Sequence, residues 1–186
     1  MSNDASKVST GKPKKAGAIY RAPKGTTLPT NASDTLDNAF VGLGYCSEDG
    51  LVNANSAENE SVKAWGGDTV LYFQAGQDDP FAVTLIEALN ANVLKTVYGD
   101  DNVTVDATTG DIAIQANSDE QMENSYVIDM IMTNGALKRV VIPAGKVTEV
   151  GEITYKDDEA IGYETTLACT PDSAGNTHYE YIHFPV

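Results

Sequence analysis

The chain has 186 residues, 41% of them apolar, and a formal charge of −15. A single domain of this size buries roughly 70% of its unfolded surface, enough for a real core. A body so acidic repels phosphates, which excludes a broad electrostatic grip on nucleic acid.

Apolar runs are strand-sized, far short of the roughly 20 residues a spanning helix needs. The N-terminal lysines have no apolar stretch behind them, so no secretory signal is expected, and synthesis in a cytoplasm is. Cys46 and Cys169 are too few for a disulfide framework, and in a reducing compartment they read as small hydrophobes. The charge is unevenly spread. Residues 1–24 hold six of the twelve basic side chains (Lys7, Lys12, Lys14, Lys15, Arg21, Lys24) against one acid, Asp4. That segment is +5 and the remainder −20.

In chain order, residues 1–16 are polar and expected to be disordered or partner-dependent. Two X-Pro steps make Ala18 to Leu28 extended, an arm rather than a core strand. Val41 to Ser47 and Leu51 to Ala54 are predicted strands around a turn at 48–50. Residues 53–60 are polar throughout and predict a mobile loop. Ser61 to Ala64 and Asp68 to Gln74 read as strands, with a bulge or close approach at Trp65-Gly66-Gly67. Asp78-Asp79-Pro80 is a turn and Phe81 to Ile86 a strand.

The apolar stripe Ile86, Leu89, Val93, Leu94 and Val97 predicts a helix over 86–98. Glu87 would lie in its first turn and Lys95 in its last, with Gly99 as a stop. An accessory hairpin follows at 103–105 and 112–115. Tyr126 to Met132 and Leu137 to Ile142 flank Asn134-Gly135, the strongest short hairpin signal in the chain. Val147 to Tyr155 and Ile161 to Thr170 flank a charged tip at 156–159. In the second of these strands Ile161, Tyr163, Thr165, Leu167 and Cys169 share one face and Glu164 lies on the other, a sheet with one packed and one wet side. His178 to Phe184 is a final aromatic-rich strand.

Catalytic constellations are weak. His178 and His183 are five apart, so on one strand they face opposite sides and cannot chelate together. Asp100-Asp101-Asn102 and Asp157-Asp158-Glu159 lack the ligand alternation of a calcium loop and read as solvated turns. No phosphate loop, dinucleotide fingerprint or nucleophile elbow is present, so no cofactor, metal or catalytic residue is expected. Trp65, and the Tyr179–Tyr181 alternation, suit packing or an interface strand better than a ligand platform.

Four blocks carry a resemblance. They are Gly17 to Ala32, Val41-Gly-Leu-Gly-Tyr-Cys-Ser-Glu-Asp-Gly-Leu51, Val62-Lys-Ala-Trp-Gly-Gly-Asp-Thr-Val70, and Phe81-Ala-Val-Thr-Leu-Ile-Glu-Ala-Leu89 with Val97-Tyr-Gly99. In this order, over roughly residues 16–170, the chain resembles the major tail tube proteins of long-tailed (siphovirus) bacteriophages of Gram-positive hosts. The resemblance implies a mainly β, sandwich- or barrel-like subunit with one flanking helix, an N-terminal arm over 1–32 and a tail tube domain over 33–186. It implies a structural protein, with no enzyme activity. Six subunits would form a ring, rings would stack into a tube, and hairpins near 42–74 and 146–170 would join into an inner barrel.

Expected partners are other copies of the chain, a tape-measure protein, tail-end proteins and DNA in transit, with no membrane. The expected location is the virion tail, after assembly in the host cytoplasm. Glu149, Glu152 and Glu164 are candidate lumen-facing acids. Lys12, Lys14, Lys15, Arg21, Lys24, Glu58, Glu60, Asp157, Asp158 and Glu159 are candidate contacts between subunits or rings. Two other readings stay open at this point. One is a monomeric adhesion or carbohydrate-binding β-sandwich using Trp65, Tyr179 and Tyr181; the other is a small acidic enzyme.

Overall fold

A computed structural model of the chain describes residues 3–14 and 18–185. The strands, in order, are β1 (Gly11–Pro13), β2 (Ile19–Pro23), β3 (Val41–Gly42), β4 (Cys46–Asn53), β5 (Ser56–Lys63), β6 (Thr69–Asp78) and β7 (Phe81–Leu85). Helix α1 (Ala91–Tyr98) follows, then β8 (Val103–Val105), β9 (Ile112–Ile114), β10 (Asn124–Met132), β11 (Leu137–Val150), β12 (Tyr163–Cys169) and β13 (Tyr179–His183). Among the described residues the fold is mainly β with one α-helix, as expected, and nine of its strands lie in one antiparallel sheet.

The sheet runs β3-β2-β10-β11-β12-β7-β4, with β1 on β10 and β13 on β11. The long strand β11 is its spine. One edge pairs with β10; the other pairs first with β13 over Leu137–Val141 and then with β12 over Gly145–Val150. The sequence reading splits β11 in two. Pro143 invites that break, but it sits where the β10 register slips between Asn124 and Tyr126, a bulge that asks no ladder hydrogen bond of it. Gly145 follows, and an added Cβ there would lie 3.1 Å from the Tyr126 ring, so β10 crosses closely at the bend.

One core joins both ends of the curled sheet: Ile19 on β2, Phe81 and Val83 on β7, Tyr126 on β10, Ile142 on β11 and Leu167 on β12. Helix α1 closes it with Val93, Leu94 and Val97. The helix begins at Ala91, five residues later than the stripe predicts. The Ile86 N–H donates to the Tyr45 carbonyl (3.1 Å), which holds Ile86 in the β4–β7 layer. The Glu87 carboxylate, expected in the first turn, accepts from the Tyr45 N–H and from Asn90 Nδ2, each at 2.9 Å. Asn90 is then the N-cap, its Oδ1 accepting from the Asn92 N–H (2.9 Å). Leu89 is left almost fully exposed. The C-terminal end is as predicted, with Lys95 in the last turn and Gly99 at φ 100°.

Of the expected extended segment Ala18 to Leu28, Ile19–Pro23 is a strand and not a free arm, and a turn at Lys24-Gly25 follows, closed by the Thr26 N–H donating to the Pro23 carbonyl (3.2 Å). β2 lies between β3 and β10, with Ile19, Arg21 and Ala22 buried. Its prolines fall at the strand's end and beyond it, so the strand keeps its donors. Within the N-terminal segment, expected to be disordered or partner-dependent, β1 pairs with Met130–Met132 at the far end of β10; residues 1, 2, 15 and 16 lie outside the described residues.

On the back of β10 and β11 the 24–40 loop is tied down at Asn31 and Asp34. Buried Arg139 donates from Nε and Nη2 to the Asp129 carboxylate (2.6 and 2.9 Å). Its Nη1 donates to the carbonyls of Asn31 (3.1 Å) and Asp34 (2.8 Å). One guanidinium therefore neutralises a buried acid and pins that loop.

Candidate self-assembly interface

Among the described residues β5 and β6 pair only with each other, and they are exposed along nearly their whole length, on both faces. The sequence reading makes 53–60 a mobile loop; Ser56 to Lys63 is instead a strand. Its composition is polar because neither face is buried in this subunit. The predicted hairpin near 42–74 is also displaced. Asn53 pairs with Phe81, the Ala54 N–H donates to the Pro80 carbonyl, and Ser56 pairs with Asp78. The β4–β7 and β5–β6 pairs thus form one ladder, from Cys46↔Leu85 at its base to Lys63↔Thr69 near its tip. Trp65-Gly66-Gly67 is the turn of that ribbon, not a bulge, and Trp65 is fully exposed.

The ribbon has two unlike faces. Cross-strand partners share a side, so Val62, Leu71, Phe73 and Glu60 lie together. Asn59, Ser61, Tyr72 and Gln74 lie on the other side. Val62, Leu71, Tyr72 and Phe73 are 43–74% exposed. An isolated two-stranded ribbon is marginal in water, and a run of exposed large apolar side chains marks a contact surface. Within the hairpin expected near 42–74, the sequence singles out none of these apolar residues. Its usable signal is the strand-forming run Val70-Leu-Tyr-Phe, which needs a partner and finds one across a Gly-Gly turn.

A buried clamp fixes the ribbon's root. Asp79, between β6 and β7, accepts from Thr177 Oγ1 (2.5 Å) and Asn53 Nδ2 (2.7 Å) and bonds His178 Nδ1. Desolvation of this carboxyl raises its pKa, but the hydrogen bonds from Thr177, Asn53 and His178 outweigh it and hold the value below the ordinary one. The His178 ring also meets Phe81 edge-on, with centroids 5.2 Å apart. These groups are far apart in sequence, so no local pattern reveals them.

Glu149 and Glu164 share the exposed face of the β11–β12 ladder. Glu149 pairs with Thr166, Thr166 flanks Glu164 two residues away, and Glu164 and Thr166 pair with Thr84 and Ala82. Glu152 is exposed just past the end of β11. The predicted strand 147–155 stops at Val150, so the connection to β12 is longer than a tight hairpin, with Asp157, Asp158 and Glu159 exposed on it. Lys156 bonds Glu159 at 2.9 Å.

The basic candidates divide. Arg21 is mostly buried and bonds Asp100 (2.5 Å); Lys24 pairs with Glu123 and Lys14 with Asp129 (3.5 Å). Lys12 is exposed and makes no ion pair among the described residues. Lys15 lies outside the described residues. Glu58 and Glu60 are exposed on β5.

Burial pushes the thiol of Cys46 up to about 11 and that of Cys169 to about 12, so both pack as neutral, half-buried groups against the core. Among the described residues no cluster of three or more His, Cys, Asp or Glu is placed to hold a metal ion. Nor is any helix long and apolar enough to cross a membrane. Tyr179 and Tyr181 stack on β13, while Trp65 stands at the turn of the β5–β6 ribbon.

No curated protein matches the chain. A family model described as phage tail tube protein matches residues 1–183, and this is a structural family, not an enzyme family. With a ribbon that none of the described residues covers, the chain belongs to the phage tail tube protein family, structural proteins of the virion tail.

Proposed function

We propose that this subunit forms rings of six that stack into the tail tube, and that the tube is an acidic conduit through which DNA leaves without binding. The observation that carries this reading is the β5–β6 ribbon: strands exposed on both faces, with free outer edges and large apolar side chains in water. Such edges are completed by pairing with another chain, and a closed ring satisfies every one of them. Contacts that close in a plane and repeat along an axis produce a stacked tube.

In this reading the β11–β12 ladder and the β4–β7 ladder form the inner barrel, with Glu149, Glu152 and Glu164 towards the bore. Lined by carboxylates, the bore repels the phosphate backbone, so the duplex slides rather than adsorbs. The ribbon, with Glu58 and Glu60, and the Asp157–Glu159 loop meet neighbouring subunits or rings. The N-terminal segment, with exposed Lys12 and with Lys15, lies on an acidic neighbour; Lys14, Arg21 and Lys24 support its base through their pairs within the subunit. A tape-measure protein and tail-end proteins are the further partners, and assembly takes place in the host cytoplasm.

Size-exclusion chromatography and negative-stain microscopy of the purified chain test the reading. Rings or filaments are expected, and replacing Ser56–Asp78 by a two-residue Asn-Gly turn should leave only folded monomer. A wild-type chain that stays monomeric at high concentration contradicts it. For the bore, Lys at positions 149, 152 and 164 together should leave tubes intact and slow genome ejection; ejection at the normal rate would remove the acidic-lumen part alone.

A further inference from the structure

We propose that the ribbon tip, with Trp65 as its anchor, docks into the apolar cleft beside the first half of β4 on a second copy of this chain. The inference rests on the self-assembly reading above and names the surface that receives the ribbon.

The knob is preformed. Trp65 is the sole tryptophan and stands fully in solvent. Its turn is closed by the Ala64 N–H donating to the Asp68 carbonyl (2.7 Å) and the Gly67 N–H donating to the Ala64 carbonyl (3.0 Å). Gly66 and Gly67 take φ of 118° and 101°, left-handed conformations that side chains rarely adopt, so the turn shape is built into the sequence. A large aromatic on a fixed turn loses little freedom on binding, and Trp is among the side chains that most often dominate an interface.

The hole is a cleft of about 840 Å3 between the β2 side of the sheet and the Gly44–Leu51 segment. Ile19, Leu51, Val83, Ile128 and Met130 give it an apolar interior. Its walls come close to bare backbone at Gly42 and Gly44. Gly44, at φ 71°, has the Glu87 carboxylate where a Cβ would go, 2.0 Å away. The volume falls within the roughly 300–1,000 Å3 of sites that enclose a small organic group. Charges complement: Lys63 and Asp68 flank the tip, and Glu48 and Lys14 flank the cleft.

Placement argues for a second copy. The cleft lies against the base of the continuous ladder, at Cys46 and Val83, and Trp65 crowns its other end. The β5–β6 part alone spans roughly 25 Å at about 3.3 Å per residue, which holds knob and hole of one subunit apart. A knob at one end and a hole at the other is a heterologous contact, the kind that propagates head to tail along an axis.

Trp65 is the only tryptophan, so its fluorescence reads the contact directly. Emission should move to shorter wavelength, and acrylamide quenching should fall, when dilute subunits are concentrated into tubes. Trp65→Ala should raise the concentration needed for assembly at least about tenfold, with the urea midpoint of the dilute subunit unchanged. A cross-link locates the partner surface. In a background of Cys46→Ser and Cys169→Ser, one population carries Ala64→Cys and the other Ser47→Cys. Mixed and mildly oxidised, they should give a disulfide-linked pair of unlike chains.

Tubes in which Trp65 quenches as freely as in the dilute subunit overturn the docking while leaving the tube reading intact. So does a shielded Trp65 with no mixed cross-link, which would mean another occupant, such as a neighbour's N-terminal segment, fills the cleft. No assembly of the wild-type chain at any concentration removes both readings together.

Discussion

The β10–β11 body and the β5–β6 ribbon are both antiparallel pairs joined by a tight turn, yet they are stabilised in opposite ways. Around β10 and β11 both sheet faces are buried: Tyr126 and Ile142 join the core, while Val127, Asp129 and Arg139 are buried on the opposite side, where Arg139 bonds the Asn31 and Asp34 carbonyls. The ribbon buries almost nothing in its own subunit. The body is held by its own packing; the ribbon leaves its side chains in water. On the proposed reading, the features that stabilise the subunit and those that stabilise the assembly are carried by separate strands.

That separation can be broken most forcefully at Arg139. Removing one partner of a buried ion pair leaves an uncompensated charge, a loss on the order of 3–5 kcal/mol. Arg139→Ala should therefore lower the urea-unfolding free energy by about that much and also free the 24–40 loop to proteolysis. A loss under about 1 kcal/mol, the size expected of an exposed pair, would mean the back face is not a second packed layer.

A smaller effect should appear in acid, at the joint between the two regions. The folded-state pKa of Asp79 is held below the usual value. Its contribution is complete above the unfolded pKa of about 3.9 and is lost as pH falls through the lower folded value. Unfolding free energy followed from pH 6 downward should drop in that window, and Asp79→Asn should remove this part of the acid loss. An unchanged acid profile in that variant would show that the clamp adds nothing to the subunit.

The smallest effect on the subunit should come from the ribbon itself. Leu71→Ser with Phe73→Ser changes two large apolar side chains, a double substitution that would cost several kcal/mol in a core. Here it should alter the dilute subunit's stability by no more than about 0.5 kcal/mol per site, as for surface positions, while assembly is lost. A large drop in subunit stability would place the ribbon within the folded core and erase the distinction.

Much of this fold is legible in the chain wherever a strand has one wet side. β12 alternates as read, with Tyr163, Thr165 and Leu167 buried and Glu164 exposed. Asn134 and Gly135, at φ 69° and 78°, make the tight turn their types predict, and the 103–115 hairpin forms. The reading fails where neighbours outside the local window decide. β5 has no alternation because neither face is packed, so its strand state comes from pairing with β6. β2 looks like a proline-bounded arm until β3 and β10 enclose it. The first turn of the predicted helix is lost because Tyr45 and Gly44 claim Ile86 and Glu87.

The sequence by itself determined the β-rich class, the positions of the tight turns, the end of the helix and, through its ordered blocks, the tail tube family. These depend on backbone preferences and short-range periodicity, which act within a few residues. Only the tertiary structure decided that Asp79 clamps the ribbon, that Arg139 closes a second layer, and that the 46–63 and 69–85 segments form one ladder with an exposed aromatic tip. Those features arise when residues tens of positions apart share a desolvated space, and the free energy of that encounter is written in no single segment of the chain.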